Sequence, residues 1–338
     1  MDAAKEIVGG SRRPGLSASA LSGLLNPLAD RDAALLALGR SLKARDYRFT
    51  TITPASHQRV HARATKPSPR LEDIFGWNRP FGRDDLSADL LLHLSEAGAL
   101  ETADQHLRSA VRFSTLGHQL FAHSSFPTEQ ADAVFFGPDT YRFARMVRQS
   151  LLEKPIKPGA RIVDIGSGSG AGGLYAATFA DQSSTVVLTD INRGALRFSR
   201  INAALNGARN VEVIESDLFA ALKGRFDLII SNPPYLVDPL ARLYRHGGGQ
   251  LGSDLSVRIV DQGIAHLAPG GRLLLYTGSA IIGGKDALYQ ALAARLSNRP
   301  VRFAYEEIDP DVFGEELAQA PYDGADRIAV VAISIEAA

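Results

Sequence analysis

Cysteine is absent from this 338-residue chain. That excludes disulfides, thiolate metal sites and a cysteine nucleophile in one step. An excess of either charge is missing too: 37 Lys and Arg balance 37 Asp and Glu. No overall field therefore draws the protein to nucleic acid or membrane, and any such contact must come from a local patch. No apolar run approaches the length needed to cross a bilayer. The opening residues, with Lys5, Arg12 and Arg13 among Gly and Ser, lack the apolar core of a secretory signal. A cytoplasmic protein is expected. Repeats and low-complexity tracts are absent as well. With 45% hydrophobic residues, the chain has enough apolar surface for a sizeable core, and its length suits two domains.

The two parts of the sequence read differently. From Ile162 onward, short apolar runs alternate with amphipathic stretches. Strands are expected at Arg161–Ile165, Thr185–Asp190, Val211–Glu215, Phe226–Ser231, Gly271–Thr277, Val301–Ile308 and Arg327–Ile335. Helices are expected after Gly172, Asn192, Ser253 and Lys285. This alternation predicts an α/β fold, a Rossmann-like, seven-stranded, mostly parallel sheet covered on both faces. Residues 1–130 lack the alternation. Ala33–Ala44 and Leu86–Leu94 read as helices, and Val111–Thr115 and Gln119–His123 as a small hairpin. That is an α+β pattern compatible with a winged-helix-like module. The expected division is an amino-terminal substrate-recognition module, 1–130, and a catalytic domain, 131–338. Between His57 and Arg70 the chain carries Arg59, Arg63, Lys66 and Arg70 with no acid. This reads either as a solvated basic surface or as a docking face for RNA or protein.

Ile162-Val163-Asp164-Ile165-Gly166-Ser167-Gly168-Ser169-Gly170 is a strand entering a glycine-rich turn ahead of a helix. Such a turn brings backbone close to a ligand, and the helix start offers free N–H groups. Gly166, Gly168 and Ala171 also satisfy the dinucleotide-binding fingerprint, so a nicotinamide-dependent oxidoreductase is one reading. Three acids at successive strand ends shift the balance toward S-adenosylmethionine. Asp164, inside the strand, suits a cationic amino-acid end and would repel a pyrophosphate. Asp190 can accept both ribose hydroxyls. Asp217 is offered to an adenine amino group, with Leu218 beside the ring.

Ser231-Asn232-Pro233-Pro234-Tyr235 follows the fourth strand. Two prolines force the chain out of the ladder and make a rigid ledge. Asn232 brings an amide donor and acceptor, and Tyr235 a flat face with one polar tip. Such a ledge suits a planar, nitrogen-bearing group. Beyond it, the glycines between Tyr244 and Ser253 suit a mobile lid or simply a flexible loop.

In order and spacing, these segments resemble class I S-adenosylmethionine-dependent N-methyltransferases of the small-methyltransferase group. Within that group they are most similar to the HemK-type enzymes that methylate a release-factor glutamine. Phe136-Gly137-Pro138-Asp139-Thr140 resembles the segment that closes over the cofactor there, which brings Thr140 into the cofactor site. The resemblance covers roughly residues 134–280. It implies that the Asn232 side-chain oxygen and the Pro233 carbonyl accept the two hydrogens of the target nitrogen while Tyr235 stacks on the substrate. It implies no metal. The implied substrate is macromolecular, first a protein glutamine, and alternatively a base of ribosomal or transfer RNA.

Overall fold

A computed structural model of the chain describes residues 30–63, 68–103, 105–128 and 130–338. Lys5, Arg12, Arg13 and Lys66 lie outside the described residues.

The first described helix, α1 (Asp30–Lys43), carries acids in its first turn and Arg40 and Lys43 in its last, which complements the helix dipole. Three short helices follow: α2 (Pro54–His61), α3 (Leu71–Phe75) and α4 (Ala88–Glu96). Two antiparallel hairpins come next, β1 (Leu100–Ala103) with β2 (His106–Ser109), and β3 (Val111–Leu116) with β4 (Gln119–Ser124). The second is the hairpin expected from sequence. The first had no signal strong enough to read.

A 16-residue helix, α5 (Pro138–Glu153), leads into the large sheet, with Pro138 at its first turn where the missing N–H costs nothing. The sheet strands are β5 (Arg161–Ile165), β6 (Thr185–Asp190), β7 (Val211–Glu215), β8 (Phe226–Ser231) and β9 (Leu267–Ile282), followed by the two-residue β10 (Lys285–Asp286), β11 (Val301–Asp309) and β12 (Arg327–Ala337). Their helices are α6 (Ala171–Ala177), α7 (Arg193–Leu205), α8 (Asp254–Gly263) and α9 (Ala287–Leu296). The main order is β11-β12-β9-β8-β5-β6-β7. The pairs among β9, β8, β5, β6 and β7 are parallel, and β12 and β11 close one edge antiparallel. All seven strands expected from sequence are present. β10 is a small addition folded back on the far end of β9.

Alternation along the strands feeds two cores. Ile162, Val186, Leu188, Leu228 and Ile230 face α5 and α6, where Phe143, Val147 and Leu174 meet them. Val163, Ile165, Val187 and Ile229 point the other way, toward Ile259 and Val260 of α8 and Leu288 and Leu292 of α9. β5 has β6 on one side and β8 on the other, so the winding reverses beside it. Parallel sheets of this kind bind ligands at the carboxyl ends of the strands flanking that switch.

A third core joins the amino-terminal elements to α7. Leu35, Leu38 and Leu42 of α1 pack with Phe113 of β3 and with Phe198, Ile201 and Leu205 of α7. Polar bonds complete the junction. Asn202 Oδ1 accepts from Ala122 N at 2.8 Å and its Nδ2 donates to Ala122 O at 2.9 Å. One turn on, Asn206 makes the same pair with Leu120. The two asparagines stand in for a neighbouring strand, so β4 keeps its backbone groups paired although its edge is covered.

Candidate functional site

Gly166, Gly168 and Gly170 all adopt positive φ (69°, 55° and 79°), a backbone region L side chains seldom adopt. A Cβ on Gly166 or Gly168 would meet no atom of the described residues within 4 Å. The space beside the turn is open, and glycine is needed there for backbone shape. Gly170 caps α6 from the left-handed region.

Two carboxylates hold this turn. Asp164 is 2% exposed, and its Oδ2 accepts from Gly173 N at 2.7 Å, in the first turn of α6. Burial pushes its carboxyl up to about 7; the nearby Asp190 adds to the rise and the Gly173 N–H opposes it. Asp190, at the end of β6, accepts from Gly168 N and Asn192 N, both at 2.9 Å. Burial raises its carboxyl as well, against the pull of those N–H groups. Two buried carboxyls beside one open turn suit a cationic ligand, which favours their charged forms, and disfavour an anionic pyrophosphate.

Asp217 lies beyond β7 with its side chain largely exposed, 3.5 Å from Arg258. Leu218, beside it, is buried at φ 50°. Thr140 is in the first turn of α5, its Oγ1 accepting from Gly137 N at 3.3 Å.

The ledge leaves β8 at Ser231, whose Oγ donates to Ile165 O at 2.7 Å and ties β8 to β5. Asn232 is half-buried and Pro233 buried. Among the described residues, neither the Asn232 amide nor the Pro233 carbonyl takes part in a hydrogen bond. A free acceptor pair thus stands at the carboxyl end of β8, next to the glycine turn after β5.

Tyr235 is placed otherwise than its sequence suggested. Its ring, offered as a stacking face, is 7% exposed, and its hydroxyl donates to Asp139 Oδ2 at 2.7 Å. Gly278 of β9 makes room for it: a Cβ there would lie 2.2 Å from Tyr235 Cδ2. Asp139 also accepts from Tyr276 Oη at 2.8 Å and from Arg142 at 3.2 Å. Sequence reasoning names Asp139 only as part of the Phe136–Thr140 segment and gives no role to Arg142, Tyr276 or Gly278. One signal was available: a tyrosine in the apolar run Leu273-Leu274-Leu275-Tyr276 needs a partner for its hydroxyl.

The glycines after Tyr244 also have a packing reason. Gly247 N donates to Leu236 O at 2.8 Å, and a Cβ on Gly252 would fall 2.2 Å from Tyr235 O. Both let this segment lie against the ledge backbone. His246 is oriented by Asp238, whose N–H donates to its Nδ1 at 3.1 Å. Asp238 itself is gripped by Arg242, whose bonds draw its carboxyl down to about 2. Trp77 packs against the amino-terminal core, edge-on to Phe49 with centroids 5.1 Å apart.

Comparison with known proteins identifies the family. A family model described as methyltransferase small domain matches residues 144–294. The chain is 32% identical over 246 residues to the release factor glutamine methyltransferase of Deinococcus radiodurans, covering 63% of this chain and 80% of that one. It is 36% identical over 115 residues to the ribosomal RNA small subunit methyltransferase C of Salmonella newport, covering 33% of this chain and 30% of that one. Among solved structures, an rRNA methylase from Streptococcus thermophilus superposes with a TM-score of 0.37 at 13% identity, covering 60% of this chain and 98% of that one. No helix among the described residues is long and apolar enough to cross a membrane. The nicotinamide reading of the glycine turn therefore falls away. The chain belongs to the small-methyltransferase family, whose members are enzymes that transfer a methyl group from S-adenosylmethionine.

Proposed function

We propose that this enzyme methylates the side-chain amide nitrogen of a glutamine in a cytoplasmic protein substrate. The observation that carries the reading is the uncommitted pair at the strand end, the Asn232 amide and the Pro233 carbonyl, adjoining the glycine turn. Support comes from the Deinococcus radiodurans relative, a release factor glutamine methyltransferase, most of whose length this chain covers.

An amide nitrogen is a poor nucleophile because its lone pair is delocalised into the carbonyl. Asn232 Oδ1 and the Pro233 carbonyl accept its two hydrogens and aim the lone pair away from them. S-adenosylmethionine, when bound, supplies a methyl already activated on a sulfonium. Asp164 and the Gly166–Gly170 turn would hold the cationic end of the donor, Asp190 its ribose, Asp217 with Leu218 its adenine, and Thr140 would lie over it. Catalysis here is positioning and charge complementarity. The described residues between 30 and 130, which pack on α7, belong to the module that presents the substrate.

One observation favours a second substrate, an RNA base. Arg59 and Arg63 are exposed and Arg108 is half-buried; none of the three has a carboxylate partner among the described residues. The neighbouring histidines add no charge near neutrality. Burial pushes His57 down to about 3 and lowers His61 too.

Transfer of labelled methyl to fractionated cell extract, with and without ribonuclease, separates the two. Label that survives ribonuclease, runs with protein and maps by mass spectrometry to a glutamine supports the proposal. Label found in nucleotides overturns it.

A further inference from the structure

The ledge after β8 is held at its far end by a buried carboxylate. We propose that Asp139 is a positioning residue for methyl transfer, setting the place of Asn232 through the Tyr235 hydroxyl. The inference rests on Asn232 and Pro233 being the grip on the acceptor nitrogen.

Asp139 sits in the first turn of α5 and is 9% exposed. Its oxygens gather donors from three places in the fold: Tyr235 of the ledge at 2.7 Å, Tyr276 of β9 at 2.8 Å and Arg142 of its own helix at 3.2 Å. Arg142 is braced in turn by Asp309 of β11 at 2.9 Å. Core packing alone does not call for this arrangement. Two phenylalanines and an apolar residue would fill the space without burying a carboxylate, a substitution that is often neutral or stabilising. What the polar cluster adds is direction, since each hydrogen bond fixes a distance and an angle. Burial holds both phenols well above their ordinary pKa, so each stays a protonated donor.

Between the tethered Tyr235 and the free Asn232 stand only Pro233 and Pro234, whose rings fix φ. Displacement at Tyr235 is therefore carried to Asn232 with little slack. The Tyr235 ring is confined by Gly278 beneath it and Phe313 edge-on with centroids 5.9 Å apart, and its backbone carbonyl lies against Gly252. Asp139 does not itself join the free acceptor pair. It acts through Tyr235.

The test compares Asp139→Asn, Tyr235→Phe and their double variant with wild type and with Asn232→Ala. The readouts are labelled-methyl transfer into extract at saturating S-adenosylmethionine, calorimetric affinity for S-adenosylhomocysteine, and thermal unfolding. Asn keeps the volume of Asp139 and Phe keeps the ring of Tyr235; Tyr276→Phe, which removes the second phenol but leaves the ledge untouched, is the further variant should either fail to fold. Each single variant is expected to lose roughly 10- to 100-fold in turnover, the scale of a misplacement of about 1 Å. S-adenosylhomocysteine affinity stays within about twofold. The double variant is no slower than the slower single, because both changes cut one link. Lower melting temperatures with wild-type turnover per folded molecule would mean a merely structural carboxylate and overturn the proposal, as would single effects that multiply. If Asn232→Ala itself turns over normally, the reading of the grip fails instead. If Asn232→Ala is dead while Asp139→Asn and Tyr235→Phe are fast, the positioning role alone fails.

Discussion

Gly278→Ala is the smallest change that should disable the ledge without touching a polar group. The added Cβ would lie 2.2 Å from Tyr235 Cδ2 and 2.5 Å from Cε2, where ordinary contact begins near 3.4 Å. The ring must therefore retreat by about 1.2 Å, or the strand must bend. It has little freedom to turn aside, being 7% exposed with its hydroxyl held on Asp139 at 2.7 Å. Overpacking of this kind costs about 1–3 kcal/mol, a loss of a few degrees in melting temperature. Passed along two prolines to Asn232, the same displacement should lower turnover by about 10²-fold. Glycine cradle and strand-end acids are untouched, so S-adenosylhomocysteine affinity should hold. The assay pairs labelled-methyl transfer with calorimetry and a melting curve. Gly283→Ala is the control: φ is 56° there but no atom of the described residues lies within 4 Å of the new Cβ, so some stability goes and turnover stays. Turnover within twofold of wild type in Gly278→Ala would refute the reasoning.

Asn232→Ala should keep its affinity for S-adenosylhomocysteine and lose turnover by roughly 10²-fold or more, the scale for removing a transition-state hydrogen-bond partner; a normal rate would refute the grip. Asp164 carries a pH signature. Its folded carboxyl titrates at about 7, above the ordinary value near 4, so the unfolded chain releases that proton first and stability falls as pH rises through this window. Asp164→Asn removes the titration while keeping an acceptor for Gly173 N–H. Its melting temperature in the ligand-free protein should exceed wild type more at pH 8 than at pH 5, and parallel curves would count against the assignment. Asn202→Ala strands the buried N–H and C=O of Ala122, at about 1–3 kcal/mol each. Urea unfolding followed by the fluorescence of Trp77, the only tryptophan, should show a lower midpoint; an unchanged midpoint would mean that the amino-terminal elements do not depend on α7.

The parts legible from sequence share a physical origin: each is written in contiguous residues. Buried parallel strands read as short apolar runs, as in Phe226–Ser231, because both faces are covered. The glycine turn and the double-proline ledge declare themselves through backbone restrictions within a few positions. β1 and β2 were missed because Leu100–Ala103 and His106–Ser109 mix small, charged and apolar residues with no clean alternation. α5 was missed for another reason. Its apolar buried face comprises only Phe143, Ala144, Val147 and Leu151, while its remaining positions include Arg142, Arg145 and Arg148, so its apolar stripe is narrow among charged residues.

By itself, then, the sequence determined the sheet, the glycine turn and the ledge, since local stereochemistry and burial pattern suffice for each. Tertiary structure alone decided where Tyr235 is placed. Asp139 lies 96 residues before Tyr235 and 137 before Tyr276, and no spacing rule links positions so far apart. Only the stacking of α5 against β8 and β9 brings one carboxylate to two phenols, turning an exposed-looking aromatic into a buried tether.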